Sequence, residues 1–228
     1  MKKILPLILI FGLFEMGCGN TQKQERKAVN TDKKEVKEVK EVKEVKDKPE
    51  KQEKEVVVIS TFYGDMVVEL FESTAPKHVE SFKTHAKNGF YDGTIFHRVI
   101  PGFMIQGGDP NTKGDNKATY GTGGHAAKYY GIGDESETKS WNLPAEFSKI
   151  SHKRGILSMA RSTNPNSGGS QFFICAADAP HLDGQYTVFG QVVEGDNIIE
   201  QIVNLPRDSR DNPNKRVELK VRLEKRSE

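Results

Sequence analysis

Residues of the types that most often carry catalysis are present in this sequence, but their spacing matches no common catalytic pattern. Gly168-Gly169-Ser170 lacks the strand–turn–helix context of a nucleophilic serine. Gly121–Gly124 (GTGG) is followed by neither the lysine nor the helix of a phosphate-binding loop. The sequence therefore predicts no metal site and no cofactor, because metal-ligand spacing is also missing among its histidines, which are at positions 78, 85, 97, 125, 152 and 181.

The two cysteines lie in unlike surroundings. Cys175 is inside the apolar segment Gln171–Ala177, next to Phe172, Phe173 and Ile174, which is typical of a small buried residue in a strand rather than of a catalytic thiol. Cys18 follows the apolar amino-terminal run, so no disulfide framework is expected.

Two α-helices and a set of short strands are expected to position the functional residues. Val79, Phe82 and Ala86 recur at helical spacing between the candidate caps Ser73 and Thr74 and the stop signal Asn88-Gly89. His78 and His85 are expected to be exposed on this helix. A second helix, capped by Asp196, is predicted to end before Pro206. Strands are predicted at 56–61, 66–71, 96–100, 103–106, 155–160, 171–176, 187–193 and 217–223.

Many short strands with few helices, and apolar segments at both ends of this region, indicate a mainly β fold, a closed antiparallel barrel. Residues 55–228 carry 20 Lys+Arg against 22 Asp+Glu and form one domain-sized segment. The near-neutral balance, without a basic stripe, argues against nucleic acid as the partner.

The amino-terminal segment has the organisation of an export signal. Lys2 and Lys3 precede the apolar run Ile4–Phe14, which is too short to span a bilayer as a helix. Met16-Gly17-Cys18 resembles the lipobox of a bacterial lipoprotein, although Glu15 replaces an apolar residue. This resemblance implies that residues 1–18 are a signal segment, that Cys18 is lipidated, and that the protein is anchored to a membrane of the cell envelope. An ordinary secretory signal and an uncleaved anchor are the alternatives.

Residues 19–54 form a charged low-complexity segment, with EVK repeated four times over Glu35–Lys46. A valine every third residue drifts about 60° per repeat around a helix, so the valines build no apolar stripe. Heptads of a coiled coil are also missing. The segment is therefore predicted to be a flexible spacer between the signal and the domain 55–228.

Six sequence blocks, taken together and in order, are similar to cyclophilin-type peptidyl-prolyl cis-trans isomerases. The resemblance implies an eight-stranded antiparallel barrel capped by two helices, with a peptide groove on one outer face. It also implies that the protein isomerises X–Pro bonds in proline-containing polypeptides. Together with the export signal, this predicts a role in the folding of exported proteins. The protein is expected to be a monomer. The blocks are FHRVIPGFMIQGGD (96–109), GTGG (121–124), GILSMAR (155–161), SQFFICA (170–176), LDG (182–184) and VFGQV (188–192).

The resemblance also implies a role for each groove residue. Arg98 is the hydrogen-bond donor to the twisted amide, and Gln106 holds the substrate carbonyl. Ala160 and Gln171 line the groove for the residues that precede the proline. The proline ring enters an apolar pocket, for whose members plain barrel core is the competing interpretation: Phe103, Met104, Phe173 and Leu182.

Two features depart from the family pattern. His181 and Tyr186 both lie at positions that the resemblance places in the substrate groove. His181 stands where the eukaryotic forms that bind cyclosporin strongly have tryptophan, and Tyr186 stands where histidine is usual. These replacements are familiar in bacterial members, and weak cyclosporin binding is expected because an indole donor is missing. Residues 125–146 form an insertion with Tyr129, Tyr130 and Trp141, either an exposed partner-selecting loop or a tolerated insertion that packs on the barrel.

A proline-peptide-binding surface module with incidental catalysis is the alternative function.

Overall fold

A computed structural model describes residues 53–227 of the chain. The predicted signal segment, Cys18 and most of the predicted spacer lie outside the described residues. Glu53 and Lys54, which the sequence interpretation placed in the spacer, pair with Ser227 and Arg226 in the sheet. Within the described part, no helix is long and apolar enough to cross a membrane.

Residues 53–227 form one antiparallel sheet of nine strands, together with two α-helices and four short 3-10 turns. Every strand pair in the sheet is antiparallel. The strands are β1 (Glu53–Thr61), β2 (Gly64–Leu70), β3 (Thr94–Ile95), β4 (Arg98–Ile100), β5 (Met104–Gly107), β6 (Ile156–Met159), β7 (Phe172–Cys175), β8 (Val188–Glu194) and β9 (Glu218–Ser227).

The order of hydrogen-bonded strands is β3-β9-β1-β2-β8-β6-β7-β5-β4, with β3 and β4 at the two ends. The prediction of a closed barrel of eight strands is therefore corrected to a curled sheet of nine strands with an open order. The predicted strand 96–100 is shortened to β4, which pairs with β5. A further short strand that was not predicted, β3, precedes it and pairs with β9. Only Phe96 and His97 separate β3 from β4, so the curl brings the two edges within about 11 Å.

The helices α1 (Pro76–Lys87) and α2 (Asp196–Val203) lie where they were predicted, but their caps differ. The N-cap of α1 is Ala75, which makes no side-chain capping bond. Instead, the carboxylate of Glu146 accepts hydrogen bonds from the backbone N–H groups of Lys77 (3.2 Å) and His78 (3.0 Å). The N-cap of α2 is Gly195, whose φ of 84° suits glycine, and Asp196 is the first helical residue.

The main core lies between the two helices and the inner face of the curled sheet. Phe82 of α1 packs against Tyr91, Phe172 and Phe189 at centroid distances of 5.0, 5.4 and 5.4 Å. All four rings are almost completely buried. The apolar spacing that predicted α1 is thus the face that fills the inside of the sheet.

A smaller apolar cluster lies on the outer face of the same strands. Along β7, Phe172 and Ile174 enter the main core, whereas Phe173 and Cys175 enter the outer cluster. This division follows from the two-residue period of a strand. Cys175 is buried in the strand as expected, and burial raises the pKa of its thiol to about 12.

The helix histidines differ from the expectation that they are exposed. His78 and His85 are both buried, because the insertion and its flanks cover this side of α1. The imidazole Nδ1 of His78 lies 2.7 Å from a carboxylate oxygen of Glu146, and Nε2 of His85 lies 2.8 Å from the carbonyl of His125. A sequence period identifies a helix but not the loops that will cover it.

The insertion 125–146 packs on the domain. Tyr130 and Trp141 are partly buried against the main core, and Tyr129 lies 6.3 Å from Trp141 between ring centroids. The indole Nε1 of Trp141 donates to the backbone carbonyl of Asp134 at 3.0 Å. Of the two interpretations of the insertion, the structure favours packing of its aromatic residues against the folded domain.

Candidate active site

The turn between β4 and β5 sets the register of the candidate site. Pro101 and Gly102, with φ of +74° at Gly102, form a tight turn closed by the bond from Phe103 N–H to Ile100 O (3.0 Å). Proline followed by a glycine with positive φ is the pattern of a type II turn. The turn fixes the pairing of Arg98 with Gln106.

Three predicted residues lie in one row across neighbouring strands. Arg98 on β4 pairs with Gln106 on β5, which pairs with Phe173 on β7. Directly paired residues place their side chains on the same face about 5 Å apart. The row therefore brings a guanidinium, an amide and an aromatic ring to the outer face of the sheet.

A chain of hydrogen bonds orients the amide groups of the site. Gln106 Oε1 accepts from Arg98 Nη1 at 3.5 Å, and its Nε2 donates to Gln171 Oε1 at 3.0 Å. Gln171 Nε2 in turn donates to the carbonyl of Gly123 at 2.7 Å. The GTGG segment, to which no role was assigned, thus anchors the polar side of the groove.

An outer pocket of about 290 Å³ lies over this row. Met104, Phe173 and Leu182 are buried in its floor, while Phe103 and Tyr186 are partly buried at its sides. The structure therefore brings eight of the ten predicted groove residues to one pocket, and they are Arg98, Phe103, Met104, Gln106, Ala160, Phe173, Leu182 and Tyr186.

The other two predicted residues lie beside this pocket. Gln171 lines a neighbouring pocket of about 320 Å³. His181 is exposed and packs on Phe103, with 5.5 Å between the ring centroids. Arg161 lines both pockets, and sequence reasoning gave it no role although it ends the block GILSMAR.

Arg98 presents an accessible positive charge to the pocket. Its side chain is 43% exposed, and its nearest carboxylate oxygen, on Asp211, is 3.9 Å from Nε. That separation is too long for a hydrogen bond. The guanidinium can therefore donate to an oxygen or nitrogen atom of a ligand in the pocket.

A buried imidazole supports the aromatic wall from behind. The ring of His152 stacks on Phe173 at 6.1 Å with an interplanar angle of 15°. Its Nδ1 lies 2.9 Å from a carboxylate oxygen of Asp183, and its Nε2 lies 3.1 Å from Ser158 Oγ. Tyr186 meets the edge of Phe173 at 5.8 Å. These contacts hold the Phe173 ring in one orientation.

His97, next to Arg98, is buried and belongs to the scaffold. Burial lowers the pKa of its imidazole to about 4, so the ring is neutral near pH 7. Its backbone N–H donates to Gln106 O at 3.0 Å, and its carbonyl accepts from Asn212 Nδ2 at 2.6 Å. Within residues 53–227, no group of three or more His, Cys, Asp or Glu could hold a metal ion.

The fold and the outer-face pocket define a cyclophilin-like domain. A crystal structure of a cyclophilin type peptidyl-prolyl cis-trans isomerase of Cryptosporidium parvum, in the presence of the dipeptide Ala-Pro, superposes with a TM-score of 0.64. It is 35% identical in sequence, and the match covers 76% of this chain and 99% of that chain.

Sequence comparisons identify the family. The family model for "Cyclophilin type peptidyl-prolyl cis-trans isomerase/CLD" matches residues 56–222. A probable peptidyl-prolyl cis-trans isomerase of Brucella suis is 45% identical over 150 residues, which are 64% of this chain and 70% of that protein. The peptidyl-prolyl cis-trans isomerase ppi1 of Schizosaccharomyces pombe is 42% identical over 158 residues, which are 69% of this chain and 90% of that protein. The chain belongs to the cyclophilin family and is a peptidyl-prolyl cis-trans isomerase.

Proposed function

We propose that the domain accelerates rotation about X–Pro bonds by binding the twisted amide through Arg98. The observation that carries this proposal is the row of Arg98, Gln106 and Phe173 under one pocket. One X–Pro unit in this pocket can therefore contact all three groups: the guanidinium donor, the amide that binds the carbonyl, and the aromatic ring.

The chemistry requires no covalent step. Rotation about an amide bond costs about 18–20 kcal/mol because conjugation is lost. The two planar forms of X–Pro differ by only about 1 kcal/mol, so the barrier alone needs to be lowered. A catalyst achieves this by binding the twisted form more tightly than either planar form.

Arg98 is the group that binds the twisted amide more tightly than the planar forms. On twisting, the prolyl nitrogen regains its lone pair and the carbonyl oxygen moves, so a fixed donor can favour the twisted state. A guanidinium is suitable because it stays charged and carries five N–H donors. Its loose contact with Asp211 leaves donors available for the substrate.

The remaining groove residues bind and orient the peptide. Gln106, held by Gln171, receives the substrate carbonyl, and Ala160 with Gln171 contacts the residues before the proline. The presence of Ala-Pro with the structural neighbour supports a proline-containing ligand. The proline ring occupies the apolar pocket formed by Phe103, Met104, Phe173 and Leu182, with His181 and Tyr186 at its rim.

Loss of the guanidinium tests the role of Arg98. In a proline-peptide isomerisation assay on the full chain, Arg98→Ala is expected to lower kcat/KM about 100-fold, the typical cost of removing a transition-state donor. Arg210→Ala is the matched control, because Arg210 lies on an exposed loop and lines neither groove pocket. An undiminished kcat/KM in Arg98→Ala would refute the role of Arg98.

The same variant separates catalysis from binding. If Arg98→Ala loses isomerisation but leaves the cellular phenotype of the wild type intact, the proline-peptide-binding module becomes the better description.

We further propose that the enzyme works outside the cytoplasm, tethered to an envelope membrane through Cys18, and assists the folding of exported proteins. The support is the lipobox-like segment and the charged spacer. As a flexible coil, a spacer that ends before β1, residues 19–52, would have an average end-to-end distance of roughly 30–35 Å. Unaided X–Pro isomerisation takes tens of seconds, so such a catalyst is useful there.

Metabolic labelling with palmitate tests the anchor. The full chain is expected to incorporate label, and Cys18→Ser is expected to lose it. Labelling that persists in Cys18→Ser would exclude Cys18 as the lipidated residue.

A further inference from the structure

A second pocket of about 320 Å³ adjoins the proline pocket and shares three residues with it, Gln106, Ala160 and Arg161. The side chains that line the second pocket include several hydroxyl and amide groups. No carboxylate side chain lines either pocket. Arg161 is therefore the charged group common to the two.

All the hydrogen bonds of the Arg161 guanidinium go to backbone carbonyls. Nε and Nη2 donate to Gln185 O at 3.1 and 2.8 Å, and Nη1 donates to the carbonyls of Ser162 (2.8 Å) and Thr163 (3.3 Å). The group also lies 4.4 Å from the ring centroid of Tyr186. These contacts fix its position but leave its net charge uncompensated, and one of its five N–H donors stays available.

The other arginines show how unusual this environment is. Six of the eight arginines in residues 53–227 have a carboxylate oxygen within 4.0 Å. Arg154, for example, pairs with Asp196. The other two, Arg161 and Arg210, have none within that distance in this part of the chain. Arg210 is exposed, whereas Arg161 is half-buried at the groove. A partly desolvated charge without a counter-ion attracts an anionic group more strongly than an exposed one does.

We propose that Arg161 selects substrates with glutamate or aspartate one or two residues before the proline. This inference rests on the proposed function of the groove. A peptide with its proline in the first pocket runs across Gln106 and Ala160 at about 3.3 Å per residue, which brings the preceding side chains to Arg161. A carboxylate there receives the free N–H donor and neutralises the guanidinium.

A peptide series tests the selection on the full chain. Proline peptides carry Glu, Gln or Lys at the first or second position before the proline, and kcat/KM is measured for each. At one of these positions the wild type is expected to prefer Glu over Gln about fivefold and to disfavour Lys. High salt is expected to reduce this preference.

Two variants assign the preference to Arg161. Arg161→Gln is expected to bring the Glu-to-Gln ratio close to one, whereas Arg161→Lys retains part of it. Arg210→Gln, which removes an equal charge from an exposed loop, is expected to leave the ratio unchanged.

The outcomes separate this inference from the function on which it rests. A purely structural role for Arg161 would lower kcat/KM equally for all peptides in Arg161→Gln and keep the ratio, which overturns the inference. Equal kcat/KM for Glu, Gln and Lys peptides in the wild type also overturns it while the isomerase remains. If the wild type isomerises none of the peptides, the proposed function itself fails.

Discussion

On strands β5 and β7, alternate side chains enter two apolar clusters that differ in what surrounds them. Ile105 and Phe172 face inward and are completely buried in the main core. Met104 and Phe173 face outward, where they pack with Leu182 and Tyr186 and line the pocket. The inner cluster is closed, whereas the outer one keeps an open pocket of about 290 Å³.

This difference shows how one strand serves stability and function together. An inward ring is packed on all sides, so its loss creates a cavity. The outward ring of Phe173 is also buried, but it lines the pocket, so a ligand there can contact it. The two adjacent phenylalanines, Phe172 and Phe173, therefore provide a direct comparison of the two faces.

The largest expected effect is on the inner face. Phe172→Ala is expected to lower the free energy of unfolding by about 3–5 kcal/mol, because a fully buried ring contacting Phe82, Tyr91 and Phe96 is lost. Chemical denaturation measures this change. Phe173→Ala is expected to cost at least about 1 kcal/mol less, while kcat/KM for proline peptides falls at least about tenfold. Equal stability losses with unchanged catalysis in Phe173→Ala would remove the distinction between the faces.

The next largest effect is the pH dependence of stability that the buried His85 of α1 causes. Burial lowers the pKa of His85 from 6.5 to about 4 in the folded protein. Between pH 6.5 and pH 4, His85 is therefore protonated in the unfolded chain but neutral in the folded protein. The contribution of neutral His85 to the free energy of unfolding is thus complete above pH 6.5 and is lost as the pH falls toward 4. The loss is roughly 2–3 kcal/mol for this residue.

Denaturation at pH 7 and pH 4.5 in wild type and His85→Gln measures this contribution. The variant is expected to lose less stability on acidification, since glutamine can keep the hydrogen bond to His125 O without titrating. An identical pH dependence in the two proteins would contradict the assignment to His85.

The smallest expected effect lies at the rim of the outer pocket. Cyclosporin is expected to inhibit weakly, because His181 packs on Phe103 where an indole would add contact area and a donor. His181→Trp is expected to tighten inhibition about tenfold, or roughly 1.4 kcal/mol. Nanomolar inhibition of the wild type, measured in the isomerisation assay, would refute the expectation.

Much of the fold could be predicted because its signals are local. The helical spacing of Val79, Phe82 and Ala86 acts over a few residues, and the structure has the helix where this pattern put it. The cap of α1 could not be predicted, because the capping group belongs to Glu146, nearly 70 residues further along the chain. The burial of His78 and His85 was missed for the same reason.

The site shows the same limit. The motif match was sufficient to name eight residues that the structure brings to one pocket. It did not name Arg161, because a charged residue at the end of a strand block is typical of a solvated surface. Nor did it show that His152 supports Phe173, since that contact depends on a loop and a strand meeting behind the pocket.

The amino-acid sequence by itself determined the family, the approximate positions of both helices and of most strands, and the alternation that sends Phe172 and Phe173 to opposite faces. These properties depend on local periodicity and on blocks of adjacent residues. Only the tertiary structure decided that the sheet has nine strands in an open order and that Arg161 stands between two pockets without a carboxylate. Strand edges, burial and charge compensation arise from residues far apart in the chain, and local patterns do not encode which of them meet.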